Sequence, residues 1–259
     1  MSTRVPRATP LVRCNPVTKL AAGFILMFAV LLSVDVVSAG VLLLLELALL
    51  PLAGLPWRTV VGRTWFLPII ALTGGWSTAL LAEKTGATVV DLGPVLLTAD
   101  SLTAGAAIGL RTMALALPAV VLLATIDPTD LADGLIQKLR VSERFALAAL
   151  AAGRLVSLWI AEWQVLRMAR RARGVGGSGP LSHLGAFFPV MFALLVQAIR
   201  RGTRLAMAME GRAFGAPGRT WARTSRFAAR DLGLLAGALL MAATAVGAAI
   251  ATGSWNLIV

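Results

Sequence analysis

Cysteine and histidine occur once each, at Cys14 and His183. A single cysteine excludes an intramolecular disulfide framework. One residue of each kind leaves no His/Cys metal cluster to build, so neither metal nor cofactor is expected. Cys14 reads as a passenger in a reducing compartment. His183 follows Pro180 without a G-x-S-x-G elbow and reads as a surface or helix-start residue rather than a catalytic one. The lysines, Lys19, Lys84 and Lys138, follow Thr18, Glu83 and Gln137. None follows a glycine, so no Walker A loop can be written and ATP is not expected to bind by that route. Charged residues make up only 14% of the 259-residue chain, against 58% hydrophobic, which is less charge than soluble domains carry.

What the chain has instead is long apolar runs. Segments 20–35, 37–56, 65–82, 104–125 and 232–252 each approach the roughly 20 residues that cross a bilayer. Asn15-Pro16 signals the start of the first helix. Gly40 leads in the second, which ends near Pro51 and Pro56. We therefore expect an all-α integral membrane protein of about five transmembrane helices in the plasma membrane, with no internal repeat. A basic N-terminus without an A-x-A site after a short apolar core predicts no cleaved signal peptide.

The net charge is +12, from 21 arginines, 3 lysines and 12 acidic residues. No aromatic–basic pattern accompanies it, so nucleic acid is not an expected partner; the charge reads as topological. With the N-terminus cytoplasmic and five crossings, 22 of the 24 basic residues fall inside and the C-terminus outside. The exceptions are Lys84, in an outer loop, and Arg111, within the fourth span. Arg111 is read two ways: as a contact with a partner helix or substrate route, or as a side chain that snorkels to one face.

The chain is expected to divide into N-terminal transmembrane helices (1–126), coupling helices (127–231) and a C-terminal transmembrane helix (232–259). Two apolar pieces of the middle part, 145–161 and 185–199, are long enough to raise the question of crossing. Crossing with both would put Arg167, Arg170, Arg171 and Arg173 outside, so the charge rule favours long helices on or near the cytoplasmic face. Phe145, Ala149, Ala152, Val156, Trp159, Trp163 and Leu166 recur at spacings of three and four, one stripe of a helix from Ser142 to Arg173. A Gly/Ser-rich break to Pro180 ends it. A second helix is expected from about Leu181 to Ala213, with a kink at Pro189.

The stretch "DLADG", Asp130 to Gly134, imitates the start of the carboxylate motif of membrane CDP-alcohol phosphotransferases. The further aspartates that two metal ions would need do not follow; none appears again until Asp231. The expected role is a helix N-terminus, with Asp130 and Asp133 at the positive end of the dipole.

Both long helices end in a small residue, an arginine, a small residue and a break. Arginine suits such a tip, because its charge is permanent and its planar fork bonds several oxygens at once. With "NPVTKL" at 15–20, "TIDPTDLADGLIQKL" at 125–139, "RMARRARG" at 167–174 and "LAMAMEGRAFG" at 205–215, the chain resembles the transmembrane T component of energy-coupling factor (ECF) transporters, the family that includes the cobalt-uptake Q proteins. The resemblance covers nearly the whole chain. It implies two Ala-Arg-Xaa signatures that dock into grooves on two cytosolic ATP-binding-cassette ATPases, while a separate substrate-binding membrane protein, the S component, takes up a vitamin or transition-metal ion. The first signature maps onto Ala172, Arg173 and Gly174, although Ala169-Arg170-Arg171 also fits. The second maps onto Gly211, Arg212 and Ala213, with glycine where alanine is usual. Arg170, Arg171 and Glu210 become secondary contacts, and the chain itself is expected to catalyse nothing. The rival readings are a conventional multi-span permease, hinted at by Arg111 and Thr73-Gly74-Gly75, and a membrane enzyme acting on anionic lipid.

Overall fold

A computed structural model of the chain describes residues 11–91, 96–174, 180–214, 221 and 223–255. The order is α1 (Pro16–Leu31), α2 (Val36–Leu49), a 3-10 turn (Leu50–Ala53), α3 (Trp57–Thr64), α4 (Leu67–Leu81), β1 (Thr88–Asp91), β2 (Leu96–Thr98), α5 (Ala99–Ala124), α6 (Pro128–Leu139), α7 (Glu143–Ala172), α8 (Pro180–Glu210) and α9 (Ala229–Ala251). Among the described residues the protein is all-α apart from one short antiparallel ribbon, in which Thr88 pairs with Thr98 and Asp91 with Leu96.

Each of the five expected apolar segments forms a helix. Trp57–Leu81, Ala99–Ala124 and Ala229–Ala251 are long and apolar enough to cross a membrane, as is Glu143–Ala172. The first helix has the expected length, 16 residues, but begins at Pro16 instead of 20, and the second is shorter than expected, at 14 residues. The bounds shift for identifiable reasons. Asn15 caps α1, its side chain accepting from the Val17 N–H, with Pro16 in the first turn. The start of α2 is set by Asp35 and not by Gly40, which lies inside the helix. Thr98 and Ser101 form a reciprocal capping box that starts α5 at Ala99, before the expected 104.

The chain separates into two compact units, Met1–Gly134 with Ser225–Val259, and Leu135–Thr224. The first is centred on α1, α2, α5 and α9, whose Ala22, Leu26, Val30, Leu42, Leu43, Ala114, Ala238 and Ala245 share one core. Large apolar side chains elsewhere face outward, Leu72 at 73% exposure and Leu240 at 67%, as suits helices whose solvent is lipid. The helices α4 and α5 meet backbone to backbone. A Cβ on Gly75 would stand 2.6 Å from the Gly105 carbonyl oxygen, and one on Gly105 would stand 2.5 Å from that of Gly75. Ala71, Gly75 and Ala79 on one helix and Gly105 and Gly109 on the other are the four-residue small repeats that let membrane helices approach this closely.

The second unit is built on α7 and α8. At 30 and 31 residues, each is about 45 Å long. Trp163 stacks edge-on against Phe187, with ring centroids 5.7 Å apart, and Glu162 pairs with Arg201. Val156, Trp159 and Trp163 of the expected stripe line a cavity of about 350 Å³ against Met191, Leu194 and Leu195 of α8. Phe145, at the start of the stripe, is 72% exposed.

Candidate functional site

Both long helices finish in the same way. At the end of α7, Arg173 is the C-cap residue, its N–H bonding the Ala169 carbonyl at 3.2 Å. Gly174 follows at φ +71, and its N–H returns to the Arg171 carbonyl at 3.0 Å. At the end of α8, Arg212 holds the equivalent place. Ala213 follows at φ +54 and bonds the Glu210 carbonyl at 2.9 Å, while the Phe214 N–H reaches the Met209 carbonyl at 3.0 Å. That pair of bonds is a full Schellman closure, with the left-handed residue in its usual place. In each case the arginine is the last residue before the chain turns away.

Ala172, Arg173, Gly174, Gly211, Arg212 and Ala213 are all exposed, as are Arg171 and Glu210. Arg170 differs: it is half-buried, and its Nε is buried without a hydrogen bond. Gly211, where alanine is usual, sits in the last helical turn and has room for a methyl group, whose closest neighbour would be the Met207 carbonyl oxygen at 3.4 Å. The conformational demand falls on Ala213 instead, an L-residue in the left-handed region, which costs about 1 kcal/mol or more. Seven Cα steps lead from Arg173 to Pro180, a reach of at most about 25 Å, while α8 runs about 45 Å from Pro180 to Glu210. Allowing about 5 Å for the turn from Glu210 to Arg212, the Cα atoms of the two arginines lie at least roughly 15 Å apart.

The "NPVTKL" stretch ties helix ends together within the first unit. The Asn15 amide donates to Ser225 Oγ at 2.8 Å and to the Arg226 carbonyl at 3.3 Å. Its backbone N–H donates to Asp231 Oδ1 at 2.6 Å, and the other oxygen of Asp231 takes the Ala228 N–H at 2.7 Å. One buried carboxylate thus closes the starts of α1 and α9 where both dipoles favour negative charge. Lys19, also buried, donates to the carbonyls of Thr125, at 3.0 Å, and Val12, at 3.3 Å, and so satisfies the end of α5. Cys14 is buried beside this clasp. Burial, then the Asp231 charge, push its thiol above the usual range, against smaller opposing effects of Lys19 and Arg230.

The "DLADG" segment begins α6. Asp127 caps it by accepting from the Thr129 N–H at 2.8 Å, and Asp130 lies in its first turn. Asp133 lies farther along the helix. A Cβ on Gly134 would stand 2.8 Å from Val17 Cγ2 and 3.5 Å from Asn15 Oδ1, so this glycine is small because α1 passes over it. The side chain of His183 lies outside the described residues.

The guanidinium of Arg111 donates to the carbonyl of Leu31, the last residue of α1, at 3.2 Å. Asp35, unremarked in the sequence, accepts from Ser33 Oγ, Ser38 Oγ and the Ser38 N–H at 2.5–2.6 Å. Burial works against its ionisation, but these bonds outweigh it and hold the carboxyl below the usual range. Glu46 also escaped notice. It is 6% exposed, and neither carboxylate oxygen has a hydrogen-bond partner. Its signal was legible, since it is the lone charge in "LLLLELALL".

Comparison with known proteins follows the same lines. Residues 7–222 match the family model CbiQ, described as cobalt transport protein. The energy-coupling factor transporter transmembrane protein EcfT of Heliobacterium modesticaldum is 32% identical over 247 residues, 88% of each chain. That of Bacillus subtilis is 28% identical over 251 residues, 92% of this chain and 94% of its own. That of Exiguobacterium sibiricum is 28% identical over 242 residues, 89% of this chain and 91% of its own. Matched over most of its length, and ending its two longest helices in the arginines that suggested the resemblance, the chain belongs to the CbiQ/EcfT family of transmembrane T components of ECF transporters.

Proposed function

We propose that the chain is a non-catalytic transmission. It carries ATP-driven motion from two cytosolic ABC ATPase subunits to a separate S component, which takes up a vitamin or a transition-metal ion. Arg173, between Ala172 and Gly174, enters a groove of one ATPase. Arg212, between Gly211 and Ala213, enters a groove of the other. Arg170, Arg171 and Glu210 make secondary contacts. Residues 127–231 form the coupling region at the cytoplasmic membrane surface, the N-terminus is cytoplasmic and the C-terminus external.

The observation that carries this reading is the repeated helix end: an exposed arginine at the C-cap, before a left-handed residue, on two successive 45 Å helices. Topology alone asks for positive charge but not for that repeated geometry. A Cα separation of at least roughly 15 Å is compatible with two separate grooves. The fork of an arginine seated among partner oxygens is worth a few kcal/mol, because its removal leaves those oxygens unpaired.

The test compares Arg173→Glu, Arg212→Glu and the double variant with Arg170→Glu and with the matching lysine changes. Copurifying ATPases and substrate uptake are measured at equal membrane abundance. The double variant should lose the ATPases or the coupled uptake, each single Glu should be impaired, Arg170→Glu should be milder, and lysine should substitute only in part. Normal ATPase association and normal uptake in the double variant would refute the coupling assignment.

A further inference from the structure

Within the first unit a cavity of about 390 Å³ lies among α1, α2, α5 and α9. Its walls are largely apolar, with Leu26, Leu122, Leu234 and Met241 among them, yet Glu46 and Arg230 line it too. Glu46 stands one turn before the end of α2 and is buried, both its oxygens lacking a partner. Arg230 is in the first turn of α9, exposed, and makes no ion pair among the described residues. A buried carboxyl group in apolar surroundings is costly unless a donor or a cation meets it, and among the described residues none does.

The volume limits the occupant. At a helix diameter of about 10 Å, 390 Å³ holds roughly 5 Å of helix, a single turn, so a partner's helix does not fit. A cavity of this size does fall in the range that takes small molecules. The required ligand has an apolar tail, an N–H-bearing cation for Glu46 and an anion for Arg230. Among molecules that surround a membrane protein, those features belong together in an amine-headed phospholipid.

We propose that this cavity takes the headgroup and part of one acyl chain of a phosphatidylethanolamine-class lipid, its ammonium on Glu46, its phosphate at Arg230 and the chain along Leu122, Leu234 and Met241. Phosphatidylglycerol lacks the cation, and phosphatidylcholine has a cation without N–H donors, so the site discriminates against both. The lipid fixes α2 against α5 and α9 by giving a partner to a carboxyl group that those helices leave buried. None of this depends on which proteins the chain assembles with.

The full chain, delipidated in detergent, is titrated with dioleoyl-phosphatidylethanolamine, -phosphatidylcholine and -phosphatidylglycerol and followed by native mass spectrometry. We expect one tightly retained ethanolamine lipid, at least fivefold favoured over the glycerol lipid. Glu46→Gln, which keeps the shape, should bring that ratio close to one. Arg230→Gln should weaken all three lipids. Because a Cβ on Gly237 meets nothing within 4 Å and the residue lines the cavity, Gly237→Leu should fill it and abolish the retained lipid while the protein stays folded by circular dichroism. Equal binding of the three lipids to the unmodified chain would overturn the proposal. So would an unchanged preference in Glu46→Gln, or a retained ethanolamine lipid in folded Gly237→Leu.

Discussion

Replacing Gly105 by alanine sets two effects against each other, and the structure decides between them. In an isolated helix, alanine gains about 1 kcal/mol over glycine. At this position the new Cβ would stand 2.5 Å from the Gly75 carbonyl oxygen and 2.9 Å from Ala79 Cβ. Ordinary carbon–oxygen approach begins near 3.3 Å, so the two backbones must part by roughly 0.8 Å. Neither obstacle can swing aside, because one is backbone and the other a Cβ fixed to it. Overpacking of this kind costs typically 1–3 kcal/mol, and the parting also loosens Gly109 from the Ala71 carbonyl. We expect a net loss of about 1 kcal/mol for Gly105→Ala and more for Gly105→Leu.

The control is one residue away from the partner glycine. A Cβ on Gly74 would meet nothing within 4 Å, whereas one on Gly75 would meet the Gly105 oxygen at 2.6 Å. Gly74→Ala should therefore be neutral or stabilising, and Gly75→Ala should behave like Gly105→Ala. The assay is unfolding of the full chain in mixed micelles with increasing sodium dodecyl sulfate, read by helicity. If Gly105→Ala proved as stable as Gly74→Ala, close backbone packing of α4 on α5 would be wrong.

Three other outcomes are expected. Ala213→Gly should relieve the left-handed strain at the end of α8 by about 1 kcal/mol, seen as slower amide exchange over 209–214, whereas Gly174→Ala should speed exchange at the end of α7. Asp35 titrates lower in the folded chain than its ordinary value of 3.8, so its cap contributes fully above that value and is lost as the pH falls through the lowered one. Asp35→Ala should accordingly cost about 1 kcal/mol at neutral pH, and stability measured against pH should show the gap closing in strong acid. In a Cys14→Ser background, a cysteine at Ser178 should resist an impermeant thiol reagent applied to intact cells and one at Ser254 should react; labelling at 178 from outside would overturn the proposed topology.

The sequence disclosed its helices because apolar runs and charge placement are local. The ends of α7 and α8 were legible to within a few residues, since a glycine or arginine string marks each one. Asp35 was missed because Ser33, Asp35 and Ser38 are scattered through valines and leucines, and only folding gathers them into a cap. The ribbon from Thr88 to Thr98 was missed because a short stretch such as "TVVD" has no period long enough to read. The role of Gly134 could not be read at all, because it depends on α1, more than a hundred residues earlier, crossing above it.

The arginines sort themselves by what they already touch. Arg111 closes the end of α1 through the Leu31 carbonyl, and Arg201 is held by Glu162. Both are spent within the fold. Arg173 and Arg212 stand where a cation is favoured, at the negative ends of two long helices, yet neither guanidinium has a hydrogen bond or ion pair among the described residues. If dipole stabilisation were their whole purpose, worth a few tenths to about 1 kcal/mol when exposed, lysine would serve equally and the left-handed residue behind each would be unnecessary. That residue ends the helix directly behind the arginine and leaves it exposed at the tip. Two five-donor forks at the ends of ~45 Å helices, neither engaged by another described residue, are the groups that the proposed docking to the ATPases would complete.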